Sequence, residues 1–335
     1  MSKRIEDITY ENKLNLFETQ VAIKFVKDTF QKELIKQLKL VRVTAPMFVK
    51  SKTGLNDNLS GVEKPVSFNV PYIGDEVEIV HSLAKWKRKA LKKYGFDLYQ
   101  GLYTDMNAIR KDEKLDFYHS IYVDQWDWEQ VISEEDRNLA YLKKIVKRIY
   151  KAIYKLEKKV SKEYPSLSRE LPENIYFIST RELEKRYPNL TRKEREDAIC
   201  REHKAVFLYQ IGFKLSDGMP HDSRAADYDD WLLNGDILVY YELYDMAFEL
   251  SSMGIRVDEY SLVEQLRQKR EEYKLTNSYC QNILSRRYPF TIGGGIGQSR
   301  LCMFMLKKAH IGEVQASIWD EEEVKKLKER GINIL

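Results

Sequence analysis

The chain has 335 residues, 43% of them hydrophobic and 32% charged, the balance of a folded globular protein and not of a disordered one. Its 56 Lys and Arg nearly cancel 52 Asp and Glu, and the formal net charge of +4 is too weak a bias to mark a nucleic-acid binder. No apolar run is long enough to span a bilayer, no secretion signal opens the chain, and Cys200, Cys280 and Cys302 are spaced for neither a disulfide framework nor a thiolate zinc site, so the expectation is a cytoplasmic protein.

In chain order, residues 14–38 read as a helix, with Phe17, Val21, Phe30, Leu34 and Leu38 at roughly helical spacing. Residues 40–49 read as a strand interrupted by Pro46, which belongs at an edge or an interface because proline cannot donate to a ladder. Residues 56–61 and 71–76 are turn-rich, and residues 81–88 suggest a helix with one basic face, on which His81 reads as structural. Residues 121–128 alternate as a strand does, presenting either Asp124 or the pair Gln125 and Asp127, with the aromatic register favouring the pair. Residues 142–164 form the clearest helix, and its lysine-rich side is ordinarily a solvated face, with a nucleic-acid surface as the lesser reading. Residues 237–241 and 248–252 read as late strands and 301–308 as a closing helix. No repeat or long linker forces a domain cut, so one domain over residues 1–335 is expected.

Three segments can carry chemistry. Gly293, Gly294, Gly295 and Gly297 read as a turn that lets backbone approach a phosphate, followed by a helix whose positive end faces the same place. Gln298 stands where a dinucleotide fingerprint needs its last glycine, and no P-loop is present, so an ordinary tight turn is an equal reading of these residues alone. Arg110, followed by Asp112 and Glu113, is either a surface ion pair or a planar fork for a phosphate and a carboxylate. Asp236 and Glu249 are either solvated acids or a pair that would hold Mg2+ against nucleotide phosphates. Asp229 lies in a further polar stretch.

Together these segments resemble the catalytic core of class II aminoacyl-tRNA synthetases. The helix, strand and Pro46 resemble the first motif, which in that superfamily forms the dimer interface; Arg110 resembles the second-motif arginine, and residues 293–300 the third motif, with Arg300 on the γ-phosphate side. The usual acid lies two residues after the second-motif arginine; Asp112 holds that place and Glu113 follows it. A closer resemblance, over residues 20–319, is to the ammonia-dependent asparagine synthetase family. It is carried by DNLSG from Asp57, HSLAKWKR from His81, GLYTDMNAIR ending at Arg110, YVDQWDWE ending at Glu129, KLSDG from Lys214, RAADYDDW from Arg224, NGDILV from Asn234, FELSSMGIRVD from Phe248 and TIGGGIGQSR from Thr291.

The resemblance implies an α+β fold with a central, mostly antiparallel sheet flanked by helices. It implies aspartate, ATP and ammonia as reactants, Mg2+ as cofactor, and a homodimer through the Pro46 region. Asp57, Arg110, Gln125 and Asp127 would surround aspartate, and Ser82, Lys87 and Arg300 would hold its α-groups. Arg110, Glu249, Ser252, Arg256, Gly293, Gly294, Gly295 and Gln298 would line the nucleotide, Asp236 and Glu249 would bind the metal, and Arg224 and Asp229 would be neighbours. Two departures stand out: only Leu232 and Leu233 separate Trp231 from Asn234 where the family carries a longer loop, and the first 13 residues read as an extension. A tRNA-charging enzyme is the competing reading, disfavoured because too few residues precede the first motif for an anticodon-binding domain.

Overall fold

The computed structural model describes residues 3–57, 59 and 63–335; part of the DNLSG segment therefore lies outside the described residues. Helix α1 (Leu16–Leu38) starts where Asn15 and Glu18 exchange side-chain-to-backbone hydrogen bonds and stops at Lys39, whose φ of 55° is left-handed. Its buried stripe is Ala22, Val26, Phe30, Leu34 and Leu38, at intervals of four. Phe17 and Val21 lie one position off that stripe and are exposed, 77% and 51%, which corrects the expectation that they face the core.

After β1 (Leu40–Arg42) the chain changes sheets. Pro46 falls between β1 and β2 (Phe48–Lys50), and β2 pairs with β4 (Asp75–Ile79), which also pairs with β3 (Ser67–Val70). The expected single strand is thus two, since the proline cannot continue the ladder. Helix α2 (Ala84–Tyr94) follows, then β5 (Gly101–Ile109), β6 (Tyr122–Val131), α3 (Leu139–Glu163), β7 (Tyr176–Ser179), α4 (Thr180–Arg186), α5 (Arg192–His203) and β8 (Ala205–Tyr209). The chain continues through β9 (Asp229–Tyr241), β10 (Met246–Arg256), α6 (Glu259–Lys269), α7 (Ser278–Leu284), β11 (Thr291–Gly297) and α8 (Gln298–Met305). Helix α9 (Glu321–Glu329), and not residues 301–308, closes the fold.

The main sheet has the order β1-β5-β6-β11-β10-β9-β8-β7. Only its outermost pairs, β1 with β5 and β7 with β8, are parallel. Residues 231–234 run inside β9, so the short connection is continuous strand. One face of the sheet packs on α1, α3 and α8, and Trp126 and Trp128 of β6 enter this core, Trp126 lying 4.8 Å from Phe30 between ring centroids. Pleating sends Gln125, Asp127 and Glu129 to the opposite face. There α2 packs over β5, β6 and β11, and α5 over β8, β9 and β10. The cavity opens between them.

The N-terminal segment is tied into this fold. Buried Lys308 donates to Asn12 Oδ1, Leu14 O and Thr19 Oγ1, and the hydroxyl of Tyr10 donates to Glu313 Oε2 at 2.8 Å. Among the described residues no helix is long and apolar enough to cross a membrane.

Candidate active site

The glycine run is a strand, not a turn. Gly293, Gly294 and Gly295 of β11 pair with Glu129, Trp128 and Asp127 on one side and with β10 on the other, and none of them has a positive φ. They are glycines because their neighbours occupy the space above them. A Cβ on Gly295 would stand 2.7 Å from Asp127 Oδ1 and closer to Gln125 Oε1; one on Gly293 would overlap the Glu129 carboxylate. One on Gly294, facing the other way, would lie 2.6 Å from Met253 Cβ. The absent side chains leave a floor on which the carboxylates and amides of β6 can lie flat. One amide at the start of α8 is already taken: Asp124 accepts from Ser299 N at 3.0 Å and from its hydroxyl at 2.8 Å.

A cavity of about 370 Å3 lies on this floor. Asp57, Ser82, Lys87, Arg110, Gln125 and Asp127, all named from the sequence, line it. So do Arg224, Asp229, Glu249, Ser252, Arg256, Gly294, Gly295 and Arg300. Three expected residues do not. Gln298 turns away and donates to Asp105 Oδ1 at 3.0 Å; Gly293 lies under Glu129; Asp236 sits behind Arg224.

The deep end is a buried charge lattice. Arg256, 2% exposed, donates to Glu129 from Nε at 2.9 Å and from Nη2 at 2.6 Å, and its Nη1 meets Asp229. Burial pushes the Glu129 carboxyl up, but Arg256 and Lys87 outweigh it and hold the group below its usual range. Burial wins at Asp229, whose pKa is raised despite Arg256. Helix α2 has the basic side expected of residues 81–88, and Lys85, Lys87 and Arg88 on it point inward, whereas Lys89, Lys92 and Lys93 are exposed. Lys87 donates to Gly294 O at 2.9 Å and lies 3.3 Å from Asp127 Oδ2, and its burial lowers its pKa. Arg88 donates to Val257 O and Pro289 O, and Lys85 to Asp227 at 2.6 Å.

At the middle stands Arg110, just past the end of β5. Its Nη2 donates to His81 O at 3.4 Å, and its Nε is buried without a partner. Asp57 accepts from Leu59 N through Oδ1, while its Oδ2, like Arg110 Nε, is buried without a partner among the described residues. His81 bridges the two residues from behind: its Nδ1–H donates to Asp57 O at 3.1 Å, and burial lowers its pKa, keeping the ring neutral. Of the acids after Arg110, Glu113 lines the cavity, whereas Asp112 accepts from Lys64 N.

The third group sits on β9 and β10. A bulge at Leu250 separates Glu249, paired with Leu238, from Ser252, paired with Asp236. Arg224 contacts Asp236 Oδ2, Ser252 also reaches the Asp236 carboxyl, and Arg224 Nε is buried without a partner among the described residues. Burial and the nearby Glu249 raise the Asp236 pKa to about 8 against the pull of Arg224. Arg300 donates to Glu249 O at 3.3 Å and lies 5.4 Å from the Tyr118 ring centroid.

Sequence reasoning missed Tyr118, Ser120, Tyr228, Ile311 and Gln315, which also line the cavity. Tyr118 and Ser120 lie between the two segments quoted for the second motif and the following strand, and Gln315 lies beyond the third motif; no spacing marks them. Tyr228 was inside a quoted segment but carried no role.

A family model described as aspartate-ammonia ligase matches residues 17–331. The chain belongs to the aspartate–ammonia ligase family. A relative of that description from Lactiplantibacillus plantarum is 60% identical over 92% of this chain and 97% of its own length. Another, from Clostridium tetani, is 58% identical over 97% of this chain and 96% of its own. Among solved structures, the chain is similar to asparaginyl-tRNA synthetase from Pyrococcus horikoshii complexed with asparaginyl-adenylate, with TM-score 0.66, 16% identity, and 90% of this chain and 70% of that one covered. The asparaginyl-tRNA synthetase of Entamoeba histolytica gives a TM-score of 0.61 at 15% identity, with 89% and 67% covered. At these identities the likeness is one of fold: a class II synthetase core, α+β, as the sequence motifs implied.

Proposed function

We propose that this chain makes asparagine from aspartate, ammonia and ATP through a β-aspartyl-adenylate, releasing AMP and pyrophosphate. The observation that carries the chemistry is the convergence of three buried, unpartnered polar atoms on one cavity: Arg110 Nε, Asp57 Oδ2 and Arg224 Nε. A buried polar group without a partner is costly, and a bound anion for the arginines and a bound cation or N–H for Asp57 would satisfy all three.

A carboxylate is a poor acyl donor because oxide is a poor leaving group; joining its oxygen to the ATP α-phosphorus and expelling pyrophosphate converts the leaving group to AMP. Negative charge grows on the α-phosphate in that step, and among the described residues Arg110, unlike Arg256 and Arg224, has no ion pair to a carboxylate. Its fork can bind the phosphate and the β-carboxylate together. Lys87, with one N–H on Gly294 O, faces the aspartate carboxylates, and Asp127, Gln125 and Ser82 face its ammonium. Ammonia then attacks the acyl carbon as the neutral base and AMP leaves. In this reading Asp57, through Oδ2, attracts ammonium and takes its proton. We assign Arg300, beside Glu249, to the phosphate side, and Ser252 and Arg256 to the wall beneath the nucleotide.

Among the described residues no group of three or more His, Cys, Asp or Glu could hold a metal. Two carboxylates plus phosphate oxygens suffice for Mg2+; Glu249 on the cavity wall would supply one, and Asp236 the other once Arg224 swings off it onto a phosphate. Bound there, the ion would neutralise phosphate charge. A homodimer through the Pro46 region is part of this reading: Val41, Met47 and Phe48 are apolar and 58%, 51% and 47% exposed, the kind of surface that a second copy would cover.

The test is purified protein with ATP, Mg2+, aspartate and ammonium. Asparagine, AMP and pyrophosphate should form in equal amounts. ADP in place of AMP, or a need for glutamine, refutes the reading, and transfer of asparagine to tRNA would restore the competing one.

A further inference from the structure

Gln315 is 4% exposed and lines the cavity, yet its Oε1 has no partner among the described residues. Its amide orientation is fixed from the other side. Nε2 donates to Asp124 Oδ1 at 3.3 Å and to Ser299 Oγ at 3.0 Å, and a flipped amide would set its oxygen against a carboxylate. Asp124 is itself saturated, with Lys27 Nζ at 3.0 Å and the amide and hydroxyl of Ser299 completing its set of donors. Ser299 Oγ donates to Asp124 and accepts from Gln315. Among the described residues every other buried polar atom of this cluster has a partner, and the one left without any is this acceptor.

The surroundings say what kind of donor it meets. The Tyr118 ring and the Ile311 side chain line the same cavity, and Ile311 N donates to Phe117 O at 2.8 Å, so the two walls are held together. Arg300, whose guanidinium lies over Tyr118, is next to Ser299 in the chain. An acceptor beside an aromatic and an aliphatic wall suits the edge of a flat heterocycle that carries an N–H. Adenine has an exocyclic amine donor where guanine has a carbonyl acceptor.

We propose that Gln315 Oε1 accepts a hydrogen bond from the exocyclic amine of the adenine ring, and that the Lys27–Asp124–Ser299 cluster holds the amide in the orientation that admits ATP and rejects GTP. Gln315 is thus the specificity-determining residue for the base. This rests on reading the cavity as the ATP site.

The experiment compares kcat/KM for ATP, purine riboside triphosphate (which lacks the amine) and GTP, in the unaltered chain and in Gln315→Met, with pyrophosphate release as the readout. A buried acceptor left unpaired lowers the unaltered chain's kcat/KM for purine riboside triphosphate about 10- to 100-fold below that for ATP, with GTP lower still. Gln315→Met should lose activity mainly with ATP and bring ATP and purine riboside triphosphate to within about threefold of each other. An unaltered chain that uses both equally overturns the proposal, as does a folded Gln315→Met that keeps the original ratio or shifts only the KM for ammonium. Should Gln315→Met not fold, the comparison in the unaltered chain decides alone. No pyrophosphate release from ATP at all would instead count against the ATP-site reading itself.

Discussion

Adding one methyl group at Gly295 tests the floor of the cavity directly. In Gly295→Ala the new Cβ would stand 2.7 Å from Asp127 Oδ1 and closer to Gln125 Oε1, where ordinary contact begins at 3.4 Å, so Asp127 must move by about 0.7 Å and Gln125 by more. Both crowded atoms are side-chain ends, and Gly295 has no positive φ, so the backbone tolerates alanine. The stability change should stay under about 2 kcal/mol, with overpacking partly offset by the less flexible unfolded chain. The functional change should be far larger, because a displacement near 1 Å in a group that positions a substrate costs about 100-fold in rate. The assay pairs a urea melt with kcat/KM for aspartate. A variant that melts like the parent and keeps kcat/KM within about threefold would refute the placement of aspartate on Gln125 and Asp127.

Arg110→Ala should lower the rate of adenylate formation by about 100- to 1000-fold without changing the melt, and Arg110→Lys should not rescue it because an ammonium lacks the fork; single-turnover pyrophosphate release measures both. Asp57→Asn should retain aspartate-dependent exchange of pyrophosphate into ATP while losing amide synthesis, and full synthesis at every pH would refute a role in taking the ammonium proton. The Asp236 carboxyl, raised to about 8 by burial and Glu249, is largely protonated at pH 7. Binding of Mg2+ with ATP should therefore release a proton at pH 7, tighten as the pH rises toward 8 and level off above it; calorimetry in buffers of different ionisation enthalpy reads this, and Asp236→Asn should abolish the release. Arg256→Met leaves Asp229 buried without its cation and Glu129 with only Lys87, and should destabilise the fold by about 3–5 kcal/mol. Glu129 has a depressed folded-state pKa, so its contribution is present above the unfolded value near 4.3 and lost as the pH falls through the folded one. The difference between urea melts of parent and Arg256→Met should accordingly begin to shrink as the pH falls below the unfolded value and close only below the depressed folded one.

The sequence by itself determined the class of fold and most of the members of the site. Helix α1, the alternation in β6 that separates Trp126 and Trp128 from Gln125 and Asp127, and the motif residues Arg110 and Arg300 were all legible, because periodicity is local and the quoted segments are long. What spacing could not settle was direction and pairing. The glycines from Gly293 to Gly295 look the same in a phosphate turn and in a strand; only the carboxylates and amide standing above them, supplied by β6 across the sheet, show that they are there for space. Gln298 and Gly293 left the cavity wall, and Lys85, Lys87 and Arg88 turned inward, because each partner comes from a segment far away in the chain. Gln315 went unnoticed for the same reason. A glutamine is chemically silent in a sequence, and only Asp124 and Ser299, brought to it by β6 and α8, leave its carbonyl as the one buried polar atom of the cluster without a partner among the described residues.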